Sequence, residues 1–255
     1  MKLPLRSLCF ALPLLSLVAC SAPGIEATPF YGFSKFDGDF AISNGAITAS
    51  TSMDSIGLDD REGLPGARVD FKWGSPHLSA QLATTSTSGD GTTDTQLTQG
   101  GVTINTGAAV DSDLDLTYGN AVVTFDFVPT DVVEVGIGLG VAYADVQTKI
   151  VETGTANQVE SDESVPIPVL ALRAGVDLGP FAADLLLTGI DVSYSGDDLQ
   201  YYELDLRARW KMFDHAHLLA GWKRWSVDLE YEDGSDNVLL DVTADAPYVG
   251  VAISF

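Results

Sequence analysis

Apolar and polar residues alternate one by one along most of this chain, instead of recurring every three or four positions. In YYELDLRARWKMF, which spans 201–213, Leu204 and Leu206 share one parity while charged residues occupy the other. The stretches ARVDFKW (67–73) and VEVGIGLGVAY (133–143) repeat this alternation. Because side chains on a strand point alternately to opposite faces, each stretch predicts a strand with one apolar face. No stretch of useful length has helical periodicity, and we therefore expect an all-β chain.

Ten stretches of this kind are separated by segments rich in Gly, Pro, Asp and Ser. The predicted strands span 44–53, 65–73, 77–88, 113–128, 131–150, 165–177, 180–194, 200–213, 216–231 and 244–255. Short turns, such as GSPH from Gly74 and LGPF from Leu178, alternate with longer polar connections. The longer connections span 54–64, 88–112, 151–164, 195–199 and 232–243. This asymmetry is typical of membrane barrels, which have short periplasmic turns and longer external loops.

Three of the stretches change phase once. In DLDLTYGNAVVTFDF the apolar parity switches at Gly119 and Asn120, which predicts a β-bulge there. The stretch ADLLLTGIDVSY switches in the same way near Gly189. In LLAGWKRWSVDLEY we expect a slip near Lys223, because a slip keeps that charge off the apolar face.

The first nineteen residues predict an export signal. Lys2 and Arg6 precede a short apolar run over 8–18 that is too short for a stable membrane span. The run ends in LVAC, which is similar to the bacterial lipobox, where cleavage precedes the cysteine and the thiol is acylated. Cys20 is accordingly the predicted lipidation site; the alternative is ordinary cleavage nearby, after Ser21 or Ala22. Since Cys9 leaves with the signal, we expect no disulfide in the mature chain.

The chain divides into three predicted segments. Residues 1–19 are the signal peptide of lipoprotein type, 20–43 are an N-terminal lead-in, and 44–255 are the barrel. The lead-in fits the alternation least well, and it is predicted to be either periplasmic or an extra strand. Strand numbers of eight or twelve therefore remain alternatives to ten.

The export signal, the alternating hairpins and the last strand, YVGVAISF, together resemble small Gram-negative outer-membrane β-barrel proteins. The resemblance implies a single antiparallel up-and-down transmembrane barrel in the cell outer membrane, in contact with its lipid and lipopolysaccharide. It also implies recognition of the last strand by the barrel-assembly machinery. The residues assigned to this assembly signal are Tyr248, Val251, Ile253 and Phe255. A soluble exported sandwich or calyx is the alternative fold, because it shares the alternation.

Aromatic residues fall near both ends of the predicted strands, as the two membrane interfaces favour. Those near the short turns are Trp73, Phe127, Phe181, Trp210, Phe213 and Phe255. Those near the long connections are Tyr143, Tyr194, Tyr202 and Tyr231.

The polar faces of the predicted strands contain a set of charged residues that we expect to face the lumen. They are Arg68, Asp70, Lys72, Asp126, Glu134, Arg173, Asp177, Glu203, Asp205, Arg207, Arg209, Lys211, Arg224 and Asp228. An unpaired buried charge is strongly unfavourable and small barrels are filled by side chains, so we expect these groups to pair into a network. Glycines at 136, 138 and 140 are expected to leave room for long side chains opposite. The alternative is a narrow channel for small solutes or ions.

The charge balance limits the partners. Acids outnumber bases 36 to 13, giving a net charge of −23, and phosphate backbones need the opposite sign. Nucleic acid is therefore not an expected partner. Acidic residues concentrate in the predicted external loops, for example Asp59, Glu62 and Asp233, where they form either a solvated rim or sites for divalent cations that bridge to lipopolysaccharide.

The histidines argue against catalysis at the external rim. His77, His215 and His217 all fall in predicted short turns, where we expect solvated side chains and no metal site. No cofactor is expected. The sequence thus favours a non-enzymatic barrel with a structural or surface-interaction role over a channel, and a channel over a surface enzyme acting on lipid or peptide.

Overall fold

Strands make up all of the regular structure in the described part of the chain. The computed structural model describes residues 24–43, 50–99, 101–130, 132–194, 197–233 and 236–255. The strands are β1 (Gly24–Ser43), β2 (Thr51–Ser52), β3 (Glu62–Lys72), β4 (Pro76–Thr92), β5 (Leu97–Gln99), β6 (Val102–Ile104), β7 (Ala109–Pro129), β8 (Val133–Glu152), β9 (Gln158–Asp177), β10 (Phe181–Tyr194), β11 (Asp197–Phe213), β12 (Ala216–Asp233) and β13 (Asp236–Ser254). None of the described residues belongs to a helix long and apolar enough to cross a membrane.

Ten of these strands close into a ring. β1, β3, β4 and β7 to β13 each pair with their neighbours along the chain, and β13 pairs back onto β1. Every pairing is antiparallel. The short strand β2 adds to β1, and β5 and β6 form a separate hairpin. The predicted up-and-down antiparallel barrel of about ten strands is confirmed.

The barrel starts earlier in the chain than predicted. β1 pairs with β13 from Glu26 to Ser43 and with β3 from Gly24 to Ser34, so residues 24–43 are wall and not a lead-in. The strand predicted over 44–53 is wrong, since only Thr51–Ser52 of its described part is strand. The sequence pattern does not reveal this strand, because aromatic residues occupy both of its faces. Phe30 and Phe36 are buried in the lumen, while Tyr31 and Phe33 face outward. The signal segment 1–19 and Cys20 lie outside the described residues.

The predicted bulges and slip are wrong. β7, β10 and β12 keep a continuous register through Gly119, Gly189 and Lys223, and the one shift in the β7–β8 pairing lies between Asp126 and Val128. Inward- and outward-facing side chains alternate strictly along these strands. What changes along the barrel is the polarity of each face: the lumen is charged in the lower half and apolar in the upper half, and the outer wall is the reverse. Leu114 and Leu116 therefore point into the lumen, whereas the sequence pattern placed them on the same face as the lipid-facing positions that follow.

The outer wall has an apolar belt at the end of the barrel with the short turns, which we call the lower end. Outward-facing residues of this belt include Phe125, Ile137, Leu139, Leu170, Leu206 and Val249, all with 49–69% of their surface exposed. The aromatic residues predicted near the short turns all lie exposed on this wall. Tyr143 and Tyr202 lie exposed at the upper edge of the belt; the side chains of Tyr194 and Tyr231 lie outside the described residues.

Above the belt the outer wall is acidic. Asp111, Asp113 and Asp115 follow one another on the outer face of β7, and Asp228 and Asp241 pair across β12 and β13. A strand of 20 residues such as β8 is about 66 Å long, whereas about 10 residues cross a membrane. The upper half of the barrel thus projects beyond the belt, with a wet outer face and an apolar interior.

The upper connections are shorter than predicted, because the strands continue through most of them. β8 ends at Glu152 and β9 begins at Gln158, so much of the predicted loop 151–164 is wall. The segment after β2 folds inward instead, burying Met53, Ile56 and Leu58 almost completely. This inward-folded segment, Met53 to Leu58, forms the roof of the barrel.

The roof is tied to its surroundings by backbone and side-chain contacts. Thr92 N donates to Ser55 O at 2.8 Å, which covers the upper edge of β4. Ser52 donates through its amide (3.3 Å) and its hydroxyl (3.2 Å) to the Asp94 carboxylate. Hydrogen bonds from Ser55 and Ser52 hold the pKa of Asp94 below its ordinary value.

Candidate functional site

The lumen is divided into a charged lower half and an apolar upper half. Charged side chains from eight strands meet in the lower half, and we call this set the charged network. Its members are Glu26, Arg68, Asp70, Lys72, Asp126, Glu134, Arg173, Asp177, Asp184, Glu203, Asp205, Arg207, Arg209, Lys211 and Lys223. Large apolar residues replace them above the level of Tyr201 and Tyr118.

Arg68 lies at the centre of the network. Its Nε is 2.8 Å from Asp70 Oδ2 and one terminal nitrogen is 2.9 Å from Asp70 Oδ1, while the other is 2.9 Å from Asp205 Oδ2. Arg207 approaches the same Asp70 carboxylate at 3.3 Å. A planar guanidinium matches two carboxylates at once, so Arg68 links β3 to β11 across the barrel.

A second cluster lies towards the lower mouth. Arg173 donates to Asp126 at 2.7 Å and to Glu134 at 2.9 Å, and Glu134 also pairs with Lys72. Arg209 contacts Glu26 at 3.1 Å and Asp184 at 2.9 Å, and Lys211 pairs with Asp177. All of these groups except Asp126 and Lys211 line a cavity of about 270 Å³ that opens at the lower end of the barrel.

Lys223 marks the top of the network. Its ammonium lies 3.3 Å from Asp205 and 3.6 Å from Glu203, with 1% of the side chain exposed. Glu203 also accepts hydrogen bonds from Gln81 and Asn120 at 2.6 Å and from Tyr201 at 2.8 Å. Tyr248 donates to Asp205, and the Lys223 ammonium lies 5.4 Å from the centre of the Phe30 ring. Each buried charge therefore has opposite charge and donors around it, as burial requires.

The structure brings together most, but not all, of the residues predicted for the lumen. Arg224 and Asp228 are corrections: β12 has no slip, so both lie on the outer wall and Lys223 takes the luminal position. Glu26, Asp184 and Lys223 were missed by the sequence analysis. Glu26 lies in the supposed lead-in, and Asp184 lies in a stretch that had been given a phase change. Its pairing with Arg207 across β10 and β11 follows from strict alternation.

The histidines are partly different from the prediction. His215 is exposed, but His217 is buried and His77 is half-buried, with its Nε2 3.4 Å from Asp70 Oδ1. His217 faces Ser254 Oγ at 3.2 Å. Across the described ranges, no group of three His, Cys, Asp or Glu side chains is arranged to hold a metal ion.

The predicted assembly signal is split between the two faces of β13. Val251, Ile253 and Phe255 lie exposed on the outer wall, whereas Tyr248 is 5% exposed and forms part of the network. Recognition of this strand during assembly stays a prediction.

The upper half of the lumen encloses an apolar chamber of about 120 Å³. Phe36, Leu114, Leu116, Trp225 and Val227 line its sides, and the roof lies above it. Tyr118 and Tyr201 form its lower boundary, next to the charged network. We call this cavity the upper chamber.

Comparison with known proteins gives structural likeness only. No family model matches the chain, and no curated protein matches it. The chain is similar to the translocator domain of the autotransporter NalP from Neisseria meningitidis, with 13% identity, a TM-score of 0.42, and coverage of 93% of this chain and 91% of that one. It is also similar to Ail, the attachment invasion locus protein of Yersinia pestis, with 11% identity, a TM-score of 0.37, and coverage of 91% and 99%. For Neisserial surface protein A the identity is 12%, the TM-score 0.32, and the coverage 89% and 97%.

At identities and scores this low, the assignment rests on the molecule itself. A closed antiparallel ring leaves no unpaired edge in the bilayer, and an apolar outer belt around a charged interior is the arrangement that a membrane requires of strands. The chain therefore folds as a closed antiparallel β-barrel with an apolar outer belt, which is the fold and outer surface of membrane-spanning β-barrel proteins.

Proposed function

We propose that this protein is a closed, non-conducting, non-enzymatic barrel whose role is exerted at the cell surface. The observation that supports the proposal is the charged network, in which Arg68, Asp205 and Lys223 are at most 3% exposed and span the lumen. A continuous water path cannot coexist with side chains so completely covered. The acidic wall above the belt is the part of the protein that meets lipopolysaccharide and any bridging divalent cations.

Conductance in a planar lipid bilayer tests the closed lumen. The wild-type barrel is expected to show no steady conductance. Arg207→Ala removes a side chain from the network without touching the wall, so it is expected to open a leak and to lower the unfolding temperature. Arg224→Ala is the matched control, because Arg224 lies on the next strand but is 54% exposed on the outer wall.

A narrow channel is the competing function. If wild-type protein conducts steadily and Arg207→Ala changes only its ion selectivity, the charges line a working pore and the closed-barrel proposal is wrong. The cavity at the lower mouth would then be the vestibule of that pore.

A further inference from the structure

The barrel wall has a seam between β9 and β10. Their pairing runs from Asp177 and Ala182 up to Leu170 and Gly189 and stops there. Both strands continue upward: β9 stays paired with β8 as far as Gln158, and β10 stays paired with β11 as far as Tyr194. Among the described residues, no backbone hydrogen bond joins the two strands above this point.

Two prolines account for the seam. Asp177 N donates to Val132 O on the β8 side at 2.8 Å, and the register of β9 is continuous. Since backbone N–H groups alternate between the two sides of a strand, even-numbered residues of β9 direct theirs towards β10. Pro166 and Pro168 occupy the next two even positions above Leu170 that would donate to β10, and proline has no N–H.

The seam connects two apolar spaces. On its inner side Ile167 and Leu199 line the upper chamber, to which none of the described side chains of β10 contributes. On its outer side a groove of about 480 Å³ runs along Leu170, Leu187 and Tyr202. Val192 has the parity of the luminal residues of β10 and is 44% exposed, in the stretch of β10 that has no β9 partner.

The seam begins at the level where the belt ends. Gly189 pairs with Tyr202, and Pro166 pairs with Tyr143, the two exposed tyrosines at the upper edge of the belt. The roof closes the upper chamber from outside, and the charged network closes it from below. The lower end of the seam, beside the groove along Leu170 and Leu187, borders the outer leaflet and is therefore the side from which an apolar molecule reaches the chamber.

We propose that the upper chamber binds a small apolar molecule, about the size of one aromatic ring, which arrives from the outer leaflet through the β9–β10 seam. The size is set by the volume of about 120 Å³, which is of the same order as the dry apolar cavity of about 150 Å³ that binds benzene. The lining favours such a molecule, because aliphatic and aromatic side chains surround it and offer few polar partners. This proposal does not depend on whether the lumen conducts.

Binding can be measured by heavy-atom quenching of Trp225, which lines the chamber and is 7% exposed. The other tryptophans, Trp73, Trp210 and Trp222, are replaced by Phe, and the barrel is studied in lipid nanodiscs with bromobenzene as the probe. Saturable quenching is expected. Ala144→Phe fills the chamber from β8 and is expected to abolish the saturable part, in a protein whose heat-modifiable gel shift shows that it is folded. Quenching that rises only linearly in both proteins overturns the binding site.

The route is tested by restoring the missing donors. Pro166→Val together with Pro168→Val allows the β9–β10 ladder to continue to Asp191 and Ser193. Two added hydrogen bonds are expected to slow the onset of quenching about tenfold while leaving its final extent unchanged. Pro247→Val is the matched control, because Pro247 faces outward on β13 where pairing with β1 resumes at Asp245. An unchanged onset in the double variant, or an equal slowing by Pro247→Val, overturns the seam as the route.

Discussion

At the scale of single residues, burial decides how much an ion pair contributes to stability. Arg68 is almost fully buried and contacts two carboxylates, so Arg68→Met leaves Asp70 and Asp205 with one fewer cation each in a dry site. We expect this change to lower the free energy of unfolding by about 3–5 kcal/mol. Urea unfolding of the barrel from lipid vesicles measures it.

An exposed pair provides the comparison. Lys35 and Asp59 lie 3.5 Å apart with 45% and 34% of their side chains exposed. Lys35→Met is expected to cost at most about 1 kcal/mol, because water screens the pair. Equal effects of the two substitutions would show that the lumen around Arg68 is wet.

At the scale of the strand, Gly138 of β8 has a different purpose from the one that the sequence suggested, whereas a Cβ on Gly136 would first meet the Asp126 side chain. A Cβ on Gly138 would lie 1.9 Å from Val123 O and 2.7 Å from Thr124 Cα, so this glycine lets the backbones of β7 and β8 approach closely. Gly138→Ala is therefore expected to destabilise the barrel by about 1–3 kcal/mol, since a backbone must move.

Gly175→Ala is the control for this effect. Its nearest neighbour would be Asp184 Oδ1 at 3.3 Å, followed by Ala183 O and Arg173 at 3.8 Å. The Asp184 side chain can move by a few tenths of an ångström to accommodate the new methyl group. The loss of stability is therefore expected to be clearly smaller for Gly175→Ala than for Gly138→Ala. A larger loss for Gly175→Ala in the same unfolding measurement would contradict the backbone explanation.

At the scale of the whole molecule, the belt holds the protein in the membrane and the predicted acyl group adds to it. Cys20→Ala is expected to abolish palmitate labelling, while the variant stays in the outer membrane and keeps its heat-modifiable migration. The reason is that the belt surrounds the whole barrel, so acyl chains on Cys20 contribute to targeting more than to retention in the membrane. Unlabelled wild-type protein would show that LVAC is not a lipobox, and a soluble Cys20→Ala variant would show that the belt does not hold the protein.

The sequence by itself determined nine of the ten strands of the ring, their alternation and the charged interior of the lower half. Period-two patterning records which side chains share a face, and for Arg68, Asp205 and Arg207 the polar face is also the luminal one. This patterning does not show whether a given face contacts lipid, water or the lumen. Leu114 and Leu116 are apolar because they line the upper chamber, and the sequence pattern cannot tell that from contact with lipid.

Only the tertiary structure decided at which level the luminal face changes from charged to apolar and the outer face from apolar to acidic. Lys223 lies in the lumen and Arg224 outside because β12 keeps its register from β11 to β13, a constraint that comes from neighbours distant in sequence. The place of β1 in the wall likewise follows from its pairing with the distant strand β13. The seam also depends on the tertiary structure, because the two prolines interrupt the pairing only where their backbone nitrogens are directed towards β10. The hydrophobic effect is non-directional, so it does not decide whether an apolar side chain faces the lumen or the lipid. Closure of the ring and the position of the membrane decide that.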